Sequence, residues 1–507
     1  MIVAPTSRAT FWGGGLALWV AGAAHNLAFA PWGWWALQWP LLALLAALVL
    51  RATPQRAAWW GWCFGVGWLS TGLWWLHISM HEFGGMPSVL SVTAVLLLAA
   101  ALSLYLAVAM AAVARWRSGA PLTDALLFAG AWLAAELARA QWFTGFPWIA
   151  SGYVHTDGPL AGWAPWVGVY AIGALAALSA ASLAQLLRHR SAGVLAGLLL
   201  PLLLAALPRW AGVSEFTTST GVLSVSLLQP NVPQNIKFDP DRLAGNMQAL
   251  SSQMQAARGQ LVLTPESVLS VPRDLLDPSY WAELTAPIRR SEDRGALIGT
   301  FLGSDESGWV NSLAGISPGS GEDYAYGKRH LLPFGEFVPP GFRWFVDLMH
   351  IPLGDQASGQ QEAAFEIGGQ RVRPLICYED LFGEDFANSV LGPNAATVFA
   401  NATNLAWFGR HMVQEQHQQF SRMRALEFQR PFIRATNTGA TGVINHRGEV
   451  TASLPAWTTG VLEAQVEGRW GETPYARWLA SAGLWPLWAL ALLLMLPAWA
   501  LARRAQP

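Results

Sequence analysis

Long apolar stretches crowd both ends of the chain, and a mixed pattern of short apolar and polar runs fills the interval between them. A membrane-spanning helix needs about 20 mostly apolar residues. Seven such stretches lie near 11–30, 34–50, 57–80, 88–114, 121–140, 161–186 and 192–208, with an eighth near 477–502. In the interval, the runs at 221–229, 259–266, 295–302, 312–318, 371–379, 396–403, 432–439 and 442–448 predict strands, and 240–257, 278–291, 382–391 and 412–428 predict helices. Apolar strands with amphipathic helices between them predict sheets covered by helices, an α/β layered domain. The pattern therefore divides the chain into a seven-helix transmembrane domain (1–212), a soluble α/β domain (213–475), and a C-terminal transmembrane helix with its tail (476–507).

Composition agrees with a membrane protein carrying a soluble part: 53% of residues are hydrophobic, 29 are tryptophan, and only 12% are charged. A formal net charge of −1 provides no basic footprint, which argues against nucleic acid as a partner. Arg8, Arg51, Arg56, Arg115, Arg117, Arg188, Arg190, Arg503 and Arg504 fall in alternate connections or at the termini, while the loops 29–33, 81–87 and 141–160 contain no lysine or arginine. By the positive-inside rule, both termini are cytoplasmic and the soluble domain is extracytoplasmic, periplasmic in a Gram-negative cell.

Within the membrane part, Glu136 and Arg139 share one helical face and are spaced to pair, which reduces the cost of ionisable groups at depth. They read as a helix-packing or interface pair, or as a lipid-headgroup or substrate contact. The aromatic outer loops at 29–35 and 141–153, with Phe146 and Trp148, are candidates for a portal to an acyl chain, although aromatic belts also place tryptophans there.

The two cysteines differ in setting. Cys63 lies in "AAWWGWCFGVGWLSTGLWWL" and reads as a small buried hydrophobe, so no disulfide is expected. Cys377 closes the apolar run "RVRPLICYED". Two further ionisable residues stand at strand ends or in the loops after them: Glu266 in "LVLTPES" and Lys328 in "YGKRHLLPFGEFVP". A carboxylate, an amine and a thiol brought together support acyl transfer: the carboxylate takes the thiol proton, sulfur attacks a carbonyl, and the ammonium stabilises the oxyanion. An unassisted cysteine, with a pKa of about 8.5, is mostly thiol near neutral pH, so the helpers are needed.

"TPES", "GKRHLLPFGEFVP" and "PLICYED", in that order, resemble the Glu, Lys and Cys motifs of the nitrilase (carbon–nitrogen hydrolase) superfamily. With membrane helices on both sides, and with "FTGFPW", "QPNVPQ", "AWFG" and "RMRALEFQRPFIRATNTG", the whole chain is similar to the bacterial apolipoprotein N-acyltransferase family. The resemblance implies an α-β-β-α sandwich attached to about eight transmembrane helices. It also implies an acyltransferase of the bacterial inner membrane. Cys377 would take an acyl chain from a phospholipid, typically phosphatidylethanolamine, as a thioester. The α-amino group of a diacylglyceryl-modified N-terminal cysteine of an apolipoprotein would then accept it.

The same resemblance makes Glu266 the general base and acid, Lys328 the oxyanion stabiliser and Cys377 the nucleophile. Glu336 and Glu379 become auxiliaries that orient Lys328 or the incoming amine, and Tyr378 and Trp407 become lining residues of the acyl or headgroup path. One departure stands out: in "TNLAWFG", Leu405 occupies a position where the family commonly has an acid. Phe238 stands where the family often has another aromatic, and no chemistry is assigned to it.

His411 and His417 are spaced unlike a zinc pair and read as polar helix or lid residues, so no metal site is expected. Phosphate-binding loops are absent, and no cofactor is expected. Alternatives to acyl transfer to a lipoprotein are a membrane-anchored nitrilase-type amidase, a transporter with an outer binding domain, and an envelope scaffold.

Overall fold

A computed structural model describes residues 8–210, 214–318, 323–344, 355–359 and 363–504. The chain forms two compact units, one built from 1–77, 87–214 and 481–507, the other from 78–86 and 215–480. The expected domain boundary at 212/213 lies outside the described residues.

The first unit is helical: α1 (Arg8–His25), α2 (Gln38–Val49), α3 (Pro54–Gly72), α4 (Ser88–Trp116), α5 (Pro121–Gln141), α6 (Ala164–Leu186), α7 (Ala192–Trp210) and a C-terminal helix, Trp485–Arg504. Helices thus occur at all eight expected places, but only four stretches among the described residues are both long and apolar enough to cross a membrane: 88–116, 121–144, 161–186 and 485–504. The others are shortened or diluted for identifiable reasons. Of the stretch 57–80, α3 takes the part up to Gly72, after which the chain turns through Trp75–Ile78 and a π-type turn at Ser79–Phe83. The stretch 477–502 is cut by Gly483, at φ 55°, into Pro474–Ala482 and Trp485–Arg504.

Small residues let the helices approach closely. A Cβ on Gly22 would lie 1.9 Å from the Phe64 carbonyl oxygen, and one on Gly67 would lie 2.0 Å from that of Trp19, so α1 and α3 touch backbone to backbone. Glu136 and Arg139 stand 3.6 Å apart on α5 and are both buried. Glu136 accepts bonds from the amide (2.6 Å) and hydroxyl (2.7 Å) of Ser151, while Arg139 Nη1 donates to the carbonyls of Phe146 (3.0 Å) and Trp148 (2.8 Å). The pair fastens the chain 146–151 to α5, and charge-assisted bonds of this kind are the stronger class.

The second unit contains two six-stranded mixed sheets, in the orders β12-β1-β2-β3-β4-β5 and β11-β10-β9-β8-β7-β6. The strands are β1 (Thr217–Gln229), β2 (Leu261–Leu263), β3 (Gly295–Ser304), β4 (Gly308–Ile316), β5 (Asp323–Gly327), β6 (Phe365–Ile367), β7 (Gln370–Ile376), β8 (Val398–Thr403), β9 (Phe432–Thr436), β10 (Gly442–Ile444), β11 (Val450–Ser453) and β12 (Gly460–Gly471). Each sheet has a parallel trio at its centre, β1-β2-β3 or β7-β8-β9, flanked by antiparallel strands. Parallel strands covered on both faces read as continuous apolar runs, which is why these six were legible. The unpredicted β5, β6, β11 and β12 all lie in the antiparallel flanks, where polar positions are tolerated.

Helices α8 (Pro240–Ala256) and α9 (Pro278–Arg289) seal the first sheet, with Leu250, Met254, Leu284 and Ile288 packed on Val262, Ala296 and Ile298. Helix α10 (Val413–Phe428) lies against β9 and β10 of the second. The helix expected over 382–391 is two short turns instead, Gly383–Phe386 and Ala387–Val390. The strand expected over 371–379 stops at Ile376, because the next residue takes φ 55°.

Candidate active site

That residue is Cys377. A non-glycine residue in the left-handed region carries about 1–3 kcal/mol of backbone strain and marks a place where side-chain direction outweighs comfort. Here the strand ends, the chain enters a short 3₁₀ turn (Cys377–Leu381), and the thiol is presented at the end of the sheet. Asn401 of β8 fixes the turn by donating to the Cys377 carbonyl at 2.8 Å.

Glu266 follows β2, and Lys328 directly follows β5. Lys328 Nζ donates to Glu336 at 2.8 Å and stands 3.6 Å from Glu266 Oε1. Asn311, on β4, bridges the two carboxylates, with its amide 2.7 Å from Glu266 Oε1 and 3.1 Å from Glu336 Oε1. The other Glu266 oxygen accepts from the Asn404 amide at 2.9 Å. Glu336 Oε2 accepts from the Leu332 amide at 2.8 Å, so that acid also closes the loop that carries it. Glu266, Asn311, Lys328, Glu336 and Asn404 are all buried.

The charges sort themselves accordingly. Enclosure and the negative charge of Glu266 push the Cys377 thiol up to about 12, against the opposing pull of Lys328. Burial works against a charged Lys328, but Glu336 and Glu266 outweigh it and hold the ammonium well above the usual lysine range. The resting site is therefore a neutral thiol beside an ammonium and its carboxylates. Such a set keeps sulfur protonated until a base removes the proton during attack.

The two family models that match the chain divide it much as its structure does: "Apolipoprotein N-acyltransferase N-terminal domain" over residues 21–182 and "Carbon-nitrogen hydrolase" over 224–475. An apolipoprotein N-acyltransferase of Verminephrobacter eiseniae is 46% identical over 501 residues, covering 92% of each chain. Another, from Ralstonia nicotianae, is 43% identical over 96% of this chain and 92% of its own. The chain belongs to the apolipoprotein N-acyltransferase family. Among solved structures, a CN-hydrolase superfamily protein of Xanthomonas campestris covers 52% of this chain and 96% of its own, with 17% identity and a TM-score of 0.37.

Against this family background, the remaining expected residues take distinct places. Glu336 contacts Lys328 directly. Glu379 acts on backbone instead: its oxygens accept from the amides of Arg329 (2.7 Å), His330 (3.2 Å) and Ile376 (2.6 Å) and from the Tyr326 hydroxyl (2.8 Å). It ties the residues after Lys328 to the residue before Cys377, so that one buried carboxylate sets the spacing of two strand ends. Tyr378 is buried, donates to the Leu331 carbonyl at 2.6 Å, and places its ring centre 5.5 Å from Lys328 Nζ. Trp407 is 37% exposed and clusters with Phe83 and Phe238. Trp148 belongs to the helical unit, where its indole is 3% exposed, packed on Trp75 and Phe146.

Of its two readings, His417 takes the helix one. It is fully buried in α10, and its Nδ1 accepts from Arg434, which also bonds Asp380 at 3.2 Å beneath the Cys377 turn. Leu405, standing where an acid was expected, is buried, and the neighbouring Asn404 makes the contact to Glu266 through its backbone.

The residues missed from sequence are Asn311, Asn401, Asn404 and Lys237. Lys237 is buried and donates to Ser267 Oγ at 2.9 Å and to the Glu266 carbonyl at 3.3 Å. Burial pulls its pKa down to about 8, with Glu266 acting in the opposite sense. The available signal was a polar residue inside an apolar run, as in "WVNSLAGI" and "VFANAT", because a buried amide demands partners.

Proposed function

We propose that the chain transfers an acyl group from a membrane phospholipid to the α-amino group of a diacylglyceryl-modified N-terminal cysteine of apolipoproteins, through a thioester on Cys377. Family membership makes the chain an acyltransferase acting on apolipoproteins. The observation that supports the covalent route is the convergence of a strained strand-end thiol, the Lys328 ammonium and the Glu266 carboxylate in one buried cluster.

In the first half-reaction, Glu266 removes the Sγ proton as sulfur adds to the ester carbonyl, and the oxyanion forms beside Lys328 Nζ. Collapse breaks the acyl–oxygen bond, Glu266 returns the proton to the departing glycerol oxygen, and a lysophospholipid leaves. In the second, the free amine adds to the thioester, Glu266 takes an amine proton, and collapse expels Sγ, which recovers a proton from Glu266. Atoms and protons balance over the cycle with no other reactant. Lys328 stabilises charge that develops only on the way to each tetrahedral intermediate, where electrostatic help is most effective.

The donor is a phospholipid such as phosphatidylethanolamine, and the catalytic unit works on the outer side of the inner membrane. The arginine distribution supports that placement. The test is a transfer assay with phosphatidylethanolamine and a diacylglyceryl-cysteine peptide, scored by mass. One acyl gain on the free-amine peptide and none on its N-acetylated form is expected. Product formation by Cys377→Ala at the parent rate would overturn the thioester route.

A further inference from the structure

The Cys377 turn rests on polar side chains that the transfer chemistry does not use. Asp380 comes from the turn itself, His417 and Ser421 stand four apart on α10, Arg434 lies on β9, and Asn401 lies on β8. All five are fully buried. Arg434 Nη1 donates to Asp380 Oδ2 at 3.2 Å and to Ser421 Oγ, and the Ser421 hydroxyl donates to the same Asp380 oxygen. Arg434 Nη2 donates to His417 Nδ1 at 2.8 Å, and its Nε to the Ala440 carbonyl at 3.3 Å.

An arginine only donates, so Nδ1 is the bare nitrogen of the His417 ring and the single proton sits on Nε2. Burial first, and then the Arg434 charge, hold the imidazole well below its ordinary pKa, which keeps it a neutral donor. That Nε2–H faces the Cys377 carbonyl, with Asp380 Oδ1 3.7 Å away. The same carbonyl accepts from Asn401 at 2.8 Å.

Buried charges add little net stability, because taking them out of water offsets their attraction; what such a network fixes is geometry. The geometry at stake is strained: φ 55° at Cys377 persists only where the surroundings over-determine it. A carbonyl held by two donors fixes the peptide after Cys377, and with it the direction in which the backbone presents Sγ.

We propose that His417 is a positioning residue for the nucleophile: with its tautomer set by Arg434, it grips the Cys377 carbonyl, and the strained turn thereby keeps Sγ aimed into the Glu266–Lys328 cluster. The inference rests on the thioester reading of Cys377, but assigns a role to residues that take no part in its bond changes.

The experiment uses the full chain carrying Cys63→Ala in detergent micelles with phosphatidylethanolamine, and follows adduct formation on Cys377 by rapid-quench intact mass over a series of lipid concentrations. His417→Leu is expected to lower the limiting rate about 10–100-fold and to leave the half-saturating lipid concentration unchanged. His417→Gln, whose amide offers an N–H and an acceptor oxygen from nearly the same places, is expected to recover most of the rate. A limiting rate in His417→Leu equal to the parent's overturns the proposal, as does a slowing that His417→Gln shares in full.

Should His417→Leu fail to fold, Ser421→Ala decides, since it loosens Asp380 and Arg434 at nearly constant shape. A limiting rate lowered about threefold or more at the parent's melting temperature is expected, and the parent's rate overturns the proposal. If the parent itself forms no adduct, the thioester reading fails, and alkylation of Cys377 by iodoacetamide in the same chains decides the inference. A rate changed about threefold or more in His417→Leu and restored in His417→Gln supports it, and an unchanged rate overturns it.

Discussion

At the scale of single residues, the site depends on how three charges share one buried space. Asn311 sits between Glu266 and Glu336 and is the neutral spacer that lets both carboxylates face Lys328. Replacing Asn311 by Leu removes a donor from each acid, and we expect acyl-adduct formation on Cys377 to slow about 10–100-fold, the usual cost of losing a group that orients a reacting one. Rapid-quench intact mass measures it. Lys237 adds a second cation beside Glu266. Its folded pKa of about 8 lies below the ordinary 10.5, so between those values the unfolded chain binds more protons and stability rises with pH. Relative to Lys237→Met, the parent should gain about 3 kcal/mol across that window, read by denaturation at a series of pH values. Cys377, Glu266 and Lys328 were legible because each closes or follows an apolar run in a recognisable motif. Asn311, Asn404 and Lys237 were not, because their roles come from strands and loops distant in sequence that only folding brings together.

At the scale of elements, strand ends do the positioning. The loop bearing Glu266 presses on β3 so closely that a Cβ on Gly299 would lie 2.0 Å from the Pro265 carbonyl oxygen and 2.8 Å from the Ser267 amide. Gly299→Ala must therefore displace either the strand or the loop that carries Glu266. We expect a loss of about 1–3 kcal/mol in stability together with a slower adduct-forming step, measured by thermal unfolding and by mass on the same sample. A stability loss with an unchanged rate would mean that the strand yields and the Glu266 loop does not. The parallel strands were readable from their unbroken apolar runs, and α8, α9 and α10 from their amphipathic spacing. The flanking β5, β6, β11 and β12 were not, since short half-polar strands have no distinctive period. The run at 371–379 misled by two residues because periodicity carries no sign of the positive φ that ends the strand at Ile376.

At the scale of the whole molecule, the proposed donor and acceptor both carry acyl chains, and each buried CH₂ holds a chain in the bilayer by roughly 0.8 kcal/mol. The proposed reaction therefore needs the carbonyl to reach the thiol while the tails stay in hydrocarbon. The arginine pattern predicts the sidedness: in cells carrying Cys377→Ser and Cys63→Ala, a membrane-impermeant maleimide should label Glu306→Cys from outside and leave Ser191→Cys unlabelled until the membrane is opened. The reverse pattern would invert the topology. The central claim, that Cys377 carries the acyl group, is tested most directly by incubating the purified chain with phosphatidylethanolamine alone and weighing it intact. The account predicts one acyl-sized mass gain, located on Cys377, released by hydroxylamine and absent in Cys377→Ser. An unshifted mass under conditions where the same preparation acylates an apolipoprotein peptide would contradict it.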